Sequence, residues 1–354
     1  MREVFGLFKY AFLFFGVIAL NAHADSSTAI RETLNAQGWL KKIHLAAQRL
    51  NYSGTFVYQQ ASQIRTSRIT HVLEGKDERE KLEILDGKPR EFIRHNEEIV
   101  CYVPELKTLL VEKRITQDVF PAILAANLAE LAEHYEIRKG ESGRIAGYDA
   151  QSVTLDPKDN LRFGYRLWAE KNSALLLRAQ TLGDHGEVVE QIAFTQVSIG
   201  AIDHSKVKPS YTNVTGWKTE RAALSQAALT GWSVKAIPSG FKKIREMKRM
   251  ISDTPPSGQS IVAAGNGSPV GSDGGVPTGP VVKREISQIV YSDGLAAISV
   301  FIEPVSQSRT EGSRQQGAMN ITGKRQGDFW LTIVGEVPAA AIKQVANSIE
   351  YKAR

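Results

Sequence analysis

Two hydrophobic periodicities follow one another near the start of the chain. Between Gln37 and Leu50 apolar residues recur three and four positions apart, which predicts an amphipathic helix. From Asn51 the period changes to two, which is typical of a β-strand. One face would carry Tyr52, Gly54, Phe56 and Tyr58, and the other Ser53, Thr55, Val57 and Gln59. The pattern therefore predicts a helix that packs on a β-sheet.

Strand-like runs separated by turn residues continue through the first two thirds of the chain. Asp86-Gly87 and Gly183-Asp184-His185-Gly186 are typical of tight connections between neighbouring strands, which indicates consecutive antiparallel hairpins. Apolar residues at helical spacing interrupt the strands at 120–135. The predicted strands cover 65–73, 80–85, 89–95, 98–103, 108–114, 148–155, 161–169, 174–181 and 187–197.

The last third of the chain predicts a second, smaller unit. Trp232, Val234 and Ile237 begin it, and strand-like runs follow at 285–291, 296–303 and 328–334. Pro338 is suited to the first turn of a helix that continues to about Ile349. The stretch 252–282 contains seven glycines and five prolines, a composition that predicts a disordered loop.

The fold class that follows is α+β, in two domains of unequal size. Residues 25–209 form the predicted larger domain, an antiparallel sheet covered by helices, and 210–230 form a linker. Residues 231–354 form the predicted smaller α+β domain.

Residues 1–24 have the three parts of a secretory signal peptide. Arg2 and Lys9 supply positive charge, an apolar run extends over 11–20, and Ala22-His23-Ala24 offers a small-x-small cleavage pattern. The apolar run is too short to cross a bilayer, which needs about 20 residues. We therefore expect export, a mature chain that begins near Asp25, and a periplasmic location.

Positive charge is concentrated in one segment. Between residues 231 and 251 six basic residues stand against one acidic residue, a net charge of +5, while the rest of the mature chain is near neutral. The segment is either the solvated face of a helix or a binding site for an acidic peptide or for lipid phosphates, and nucleic acid is not expected. The candidate binding residues are Lys242, Lys243, Arg245, Lys248 and Arg249.

No local sequence pattern of an enzyme is present. The chain lacks a nucleophile elbow, a complete phosphate loop and a dinucleotide-binding glycine motif, and its histidines do not form metal-ligand pairs. We therefore expect no catalytic residue, metal or cofactor. Cys101, the only cysteine, lies in an apolar run and is interpreted as a small buried side chain rather than a reactive thiol.

Aromatic residues on the predicted strands have two interpretations. They form an ordinary core, or they line a cavity that a curved sheet encloses for an acyl chain or an apolar peptide. The residues alone do not decide between these. The candidate lining residues are Phe56, Tyr58, Phe92, Tyr102, Tyr165 and Trp168.

Several strings of residues occur in a fixed order over nearly the whole mature chain. The first is Asn51-Tyr52-Ser53-Gly54-Thr55-Phe56-Val57-Tyr58, and Leu85-Asp86-Gly87-Lys88-Pro89 and Tyr165-Arg166-Leu167-Trp168-Ala169 follow. Val290-Tyr291-Ser292-Asp293-Gly294 and Phe301-Ile302-Glu303-Pro304 come last. In this order the strings resemble the RseB/MucB family of sigma-E regulators, although the stretch 252–282 is longer than the usual connection in that family.

The resemblance implies a fold and a partner. The larger domain would be the unclosed antiparallel half-barrel of lipoprotein carriers such as LolA. The protein would bind the periplasmic part of an anti-sigma factor, RseA or MucA, and shield it from its first regulatory protease. Lipopolysaccharide or lipoprotein acyl chains would release it, and homo-oligomers remain open. The alternatives are a periplasmic lipid or lipoprotein carrier, which would not need a basic second domain, and an exported hydrolase with a scattered site.

Overall fold

The computed structural model describes residues 22–113, 120–124, 128–221, 224–225, 229–252, 283–305 and 310–352. The predicted signal peptide lies outside these ranges up to residue 21, and the predicted disordered loop lies outside them from residue 253 to 282. No helix in the described part of the chain is both long enough and apolar enough to cross a bilayer.

The larger domain begins with helix α1 (Ala22–Arg49) and is built on one sheet, with helix α2 (Leu128–His134) between its sixth and seventh strands. Among the described residues the sheet contains twelve strands in the order β12-β6-β5-β4-β3-β2-β1-β11-β10-β9-β8-β7. The edge strands β7 and β12 do not pair, and only β12 and β6 are parallel, so the predicted unclosed antiparallel sheet is confirmed. The strands are β1 (Tyr52–Gln60), β2 (Gln63–Glu74), β3 (Asp77–Ile84), β4 (Arg90–His95), β5 (Glu98–Val103), β6 (Thr108–Lys113), β7 (Tyr135–Ile145), β8 (Tyr148–Pro157), β9 (Gly164–Glu170), β10 (Leu176–Leu182), β11 (Val188–Ile199) and β12 (Lys218–Arg221).

The predicted N-terminal helix packs on this sheet. Leu40 and Ile43 of α1 are fully buried in one core with Phe56 and Leu167 of the strands. The helix is longer than the apolar spacing predicts, because its described backbone begins at residue 22 rather than 37. We call the face of the large sheet that meets α1 the inner face and the opposite face the outer face.

The predicted helix at 120–135 is wrong over its first part. Residues 120–124 are not helical, and α2 begins only at Leu128. Pro121 accounts for this, because proline removes a backbone donor and disfavours helical geometry in the residue before it. Phe120 and Leu124 are nevertheless buried in the core, so their spacing reflects contacts with the core and not a helix.

The smaller domain contains a seven-stranded sheet in the order β13-β15-β16-β17-β20-β19-β18, a two-stranded pair β14-β21, and helix α3 (Ala339–Asn347). Pro338 caps the start of α3, and Ile342 and Val345 pack its buried face on the sheet, so both the helix and the α+β class are confirmed. The strands are β13 (Leu224–Ser225), β14 (Trp232–Val234), β15 (Lys242–Ser252), β16 (Lys283–Ser292), β17 (Ala297–Pro304), β18 (Gly312–Gln316), β19 (Met319–Gln326), β20 (Phe329–Gly335) and β21 (Ile349–Tyr351).

The predicted linker 210–230 contains two strands. β12 pairs with β6 at the edge of the large sheet, and β13 pairs with β15 at the edge of the small one. The chain therefore passes from one sheet to the other between Arg221 and Leu224, within the segment predicted to be a linker.

Candidate partner-binding strand and domain interface

The basic segment forms strand β15, which corrects the alternative of a solvated helix face. Its register with β16 shifts between Lys243 and Arg245, and this bulge breaks the simple alternation of side chains. Met247 is buried, whereas Lys242 and Lys243 are exposed. The sequence suggested a helix because five cations alternate irregularly with five apolar or acidic residues, without a clear period of two.

One long edge of β15 has little strand pairing. Within the described residues, the neighbour on that side is the two-residue β13, which pairs with Lys248 and Arg249. The backbone of β15 from Lys242 to Met247 thus faces no paired strand there among these residues. An edge of this kind can accept an extended peptide as an additional strand.

The side chains of the five candidate residues are not equally available. The Lys242 ammonium is 2.6 Å from the Glu130 carboxylate of α2, and Lys243 pairs with Glu246 on its own strand. Burial raises the pKa of Glu246, but hydrogen bonds from Lys243 and from the Leu229 N–H outweigh it and leave that pKa below its usual value.

The remaining candidates are less exposed. Arg245 and Lys248 are half-buried, and the side chain of Arg249 lies outside the described residues. The first two lysines therefore present most of the described positive charge of β15 to solvent.

The two domains meet in a buried polar contact around Arg162, which we call the clasp. Its guanidinium, which has no exposed surface, donates to Asp293 of the smaller domain at 3.1 Å and to the Ser239 carbonyl at 2.6 Å. Asp159 accepts further hydrogen bonds from it, and the Tyr135 hydroxyl donates to the same Asp293 oxygen at 3.1 Å. Burial, and then the charge of Asp293, raises the pKa of Tyr135 well above its usual value, so the tyrosine is a permanent donor.

Aromatic rings complete the clasp. The Arg162 guanidinium lies 5.5 Å from the ring centre of Tyr135 and 5.6 Å from that of Phe241. Gly240 lies directly against the His134 ring with a φ of +83°, where a Cβ would both clash and be strained. Residues 239–242 therefore all touch the larger domain, and the start of β15 is fixed to the ends of α2 and β7.

A second contact joins the domains at the end of β1. The buried Glu190 carboxylate accepts hydrogen bonds from Gln60 and Tyr58 of its own sheet and from the Ala318 N–H of the smaller domain. Burial raises the pKa of Glu190. Gly317, with a φ of +56°, packs against the Gln60 side chain, which leaves no room for a larger residue. Two separated contacts of this kind fix the relative orientation of the domains.

The six aromatic residues considered as cavity lining divide between the two faces of the large sheet. Phe56, Tyr58, Phe92 and Tyr165 are on the inner face, where Phe56 contacts the rings of Phe120 and Phe194 at 5.4 and 6.1 Å. Tyr102 and Trp168 are on the outer face, so a single cavity wall of all six is ruled out by strand alternation.

The two outer residues have their own surroundings. Tyr102 stacks on Tyr211 and contacts Trp217, with ring centres 6.1 and 6.4 Å away, and the Trp168 ring lies against Gly143. Tyr58 is also distinct, because its hydroxyl contributes to the domain contact. Lining of an inner cavity by Phe56, Phe92 and Tyr165 stays a prediction.

A polar cavity of about 460 Å³ lies on the outer face of the large sheet. Hydroxyl and amide side chains of neighbouring strands, among them Ser53, Thr70 and Gln196, line it together with Arg68 and Lys81. It differs in chemistry and position from the apolar cavity that the sequence suggested for an acyl chain. The cysteine is unrelated to either site: burial raises the pKa of Cys101 to about 12, which fits its interpretation as an unreactive side chain.

Sequence reasoning did not identify the clasp. Arg162 and Asp293 are 131 positions apart, and each lies in a polar turn that has no unusual composition. Asp293-Gly294 lies between two predicted strands and is typical of a turn, but it says nothing about a partner in the other domain.

Comparisons with known proteins agree with this architecture. The family model of the MucB/RseB N-terminal domain matches residues 35–211, and that of the MucB/RseB C-terminal domain matches 226–350. The sigma factor AlgU regulatory protein MucB of Pseudomonas aeruginosa is 26% identical over 330 residues, which cover 91% of this chain and 93% of that protein. The sigma-E factor regulatory protein RseB of Haemophilus influenzae is 24% identical, covering 92% of this chain and 95% of its own.

Solved structures give the same result. A crystal structure of MucB in complex with MucA(peri) superposes with a TM-score of 0.64 at 25% identity, and it covers 90% of this chain and all of that one. A structure of MucB gives a TM-score of 0.61 at 24% identity over 90% of this chain and 98% of its own. These proteins are named as regulators and not as enzymes. Because the two family models together cover most of the sequence in the expected order, the chain belongs to the MucB/RseB family.

Proposed function

We propose that this protein is a periplasmic negative regulator of a sigma-E-type envelope stress response. It binds the periplasmic part of a membrane-anchored anti-sigma factor and shields it from regulated proteolysis, and lipopolysaccharide or lipoprotein signals release it. Support comes from the relatives named as sigma-E and AlgU regulators and from MucB, which was solved in complex with MucA(peri). The N-terminal signal pattern supports the compartment.

Strand β15 is the observation on which the proposal of a contact site depends. It combines an edge with little pairing among the described residues, two exposed lysines and an attachment to the larger domain. An extended acidic segment that pairs with the backbone between Lys242 and Met247 would gain main-chain hydrogen bonds and complementary charge together.

Attachment of β15 to the clasp also suggests how a signal reaches it. A ligand that moves α2 or β7 would displace residues 239–242, because they contact Arg162 and His134. Such a ligand shifts the protein away from the bound form only by its difference in affinity for the two forms. This gives the release step a physical basis that a simple lipid carrier would not need.

Charge reversal tests the contact. The double variant Lys242→Glu, Lys243→Glu is expected to weaken binding of the anti-sigma periplasmic domain and to flatten its salt dependence, since exposed charges act mainly on association. Affinity would be measured at low and high salt, with thermal unfolding of each variant alongside. Folding should change little, because exposed ion pairs contribute about 0–1 kcal/mol.

Two controls separate the interpretations. In the first control, Glu130→Lys is combined with Lys242→Glu, which restores an ion pair between the domains with its charges exchanged. Residue 242 of β15 keeps its reversed charge in this variant, so binding should remain weak. Lys76→Glu with Lys171→Glu, two exposed lysines in turns far from β15, should bind normally. Normal affinity of a folded Lys242→Glu, Lys243→Glu variant would refute β15 as the contact. Binding of a lipid or lipoprotein but of no anti-sigma domain would favour the carrier.

A further inference from the structure

Three hairpin turns lie together at one end of the large sheet. Gln60 pairs with Gln63, Ile84 with Arg90 and Val103 with Thr108, so the β1-β2, β3-β4 and β5-β6 connections all project from the same end. We call the hairpin ends 61–65, 85–89 and 104–107 the hairpin tips; the first of them includes the opening residues of β2, Gln63 to Arg65. The smaller domain contacts this end of the sheet at β1, β7 and β11, through the clasp and Glu190.

Each hairpin tip exposes one large aliphatic side chain. The exposed fractions are 62% for Ile64, 42% for Leu85 and 58% for Leu106. Six large apolar side chains are exposed in the described part of the chain, and these three are among them. A further one of the six, Val188, lies at the same end of the sheet, where β11 begins. Isolated exposed aliphatic residues are common, but their concentration on consecutive turns marks a surface that meets another apolar phase.

Each hairpin tip also carries an exposed cation. Arg65, Lys88 and Lys107 make no ion pair with a carboxylate among the described residues. The acidic residues of the tips are already engaged: Glu105 pairs with Arg90, and Asp86 accepts a hydrogen bond from the Thr66 N–H. The tips therefore present net positive charge beside their aliphatic side chains.

An aromatic cluster borders the tips on the outer face. Tyr102, Tyr211 and Trp217 are half-buried with ring centres 5.8–6.4 Å apart, and Trp217 directly precedes the strand that pairs with Thr108. Tyrosine and tryptophan combine an apolar ring with a polar atom, which suits the headgroup region of a bilayer. Aliphatic tips, unpaired cations and such rings together are the features of shallow interfacial binding.

We propose that the hairpin tips are a docking surface for an anionic lipid headgroup layer. Ile64, Leu85 and Leu106 enter the layer while Arg65, Lys88 and Lys107 contact lipid phosphates. Charge identifies the occupant, because a second copy of the chain would bring the same cations face to face. This surface is separate from β15, and the inference goes beyond the proposed function.

Vesicle sedimentation tests the proposal on the full mature protein. Vesicles of phosphatidylcholine with phosphatidylglycerol are compared with phosphatidylcholine alone, at low and high salt. The unmodified protein should bind the anionic vesicles and bind less at high salt. Since one cation near an anionic surface contributes about a fivefold change in affinity, the variant Arg65→Ser, Lys88→Ser, Lys107→Ser should lose about 100-fold. The variant Ile64→Ser, Leu85→Ser, Leu106→Ser should also bind more weakly.

A matched control removes the same residue types from two turns and a strand end at the opposite end of the sheet. Lys76, Arg144 and Lys171 are exposed there, and their replacement by serine should leave vesicle binding unchanged. Equal binding by the tip variant and this control, or no preference of the unmodified protein for anionic vesicles, would overturn the proposal. A tip variant that changes only self-association in sedimentation velocity would do the same and would indicate a second copy. Affinity of the tip variants for the anti-sigma domain should be normal, which keeps this result independent of the proposed function.

Discussion

Removal of Arg162 should uncouple the two domains at a large energetic cost. In Arg162→Met the Asp293 carboxylate, only 1% exposed, would stay buried with the Tyr135 hydroxyl and two backbone N–H groups as partners. Breaking a buried ion pair by removing one partner costs about 3–5 kcal/mol, because the other charge is left uncompensated. A domain is stable by about 5–15 kcal/mol, so this is a substantial part of the total.

A double-mutant cycle gives the sharper form of the prediction. Asp293→Asn should cost a similar amount, and the double variant should cost less than the sum of the two, with a coupling of about 0.5–3 kcal/mol. Arg138→Met is the matched control, because Arg138 is 60% exposed in its pairs with Asp156 and Glu136. Its loss should cost about 0–1 kcal/mol.

Urea denaturation followed by tryptophan fluorescence measures these values. Trp168 reports on the larger domain and Trp330 on the smaller one, so single-tryptophan versions show whether the domains unfold together. We expect coincident transitions in the unmodified protein and separate ones in Arg162→Met. Additive costs of the two clasp changes, or an Arg162→Met cost no larger than that of Arg138→Met, would show that the clasp does not couple the domains.

Two further predictions concern titratable groups. Burial opposes ionisation of Glu78, but hydrogen bonds from His71 and Arg94 outweigh it and lower its pKa, so its stabilising effect is present above pH 4.5 and is lost as the pH falls through the folded pKa. Glu78→Gln should therefore lower the free energy of unfolding at pH 7 by about 1.5–3 kcal/mol and by progressively less in acid; a difference that does not depend on pH would refute this. With its pKa near 12, Cys101 should react with iodoacetamide at pH 8 more than about 100-fold slower in the native protein than in urea, and equal rates would show an accessible thiolate.

Alternation and turn chemistry predicted most strands of the larger domain, whereas strands with little apolar content were missed. β7 has buried residues only near its ends, and β18 is exposed or half-buried throughout, so neither shows the period of two that a half-buried strand produces. β15 was obscured because a bulge interrupts its register and five of its eleven side chains are basic.

The candidate sites could be predicted only in part, because they depend on tertiary contacts. The positive charge of β15 was visible from composition, but its attachment to the larger domain depends on Ser239 and Phe241 meeting Arg162, nearly 80 positions away. Division of the aromatic residues between inner and outer faces depends on registers that single-strand patterns do not contain. Local sequence patterns thus predicted elements well and their contacts across the domain boundary poorly.

The short passage between β12 and β13 limits what an opened form of the protein can look like. Arg221 ends a strand of one sheet and Leu224 begins a strand of the other, and three residue steps span at most about 10 Å. If the clasp breaks while both strands stay paired, the domains remain tethered at close range and reclosure is an intramolecular event at high effective concentration. Any ligand that opened the clasp would therefore have to remain bound to hold the domains apart, and its withdrawal would let the domains close again without any further factor.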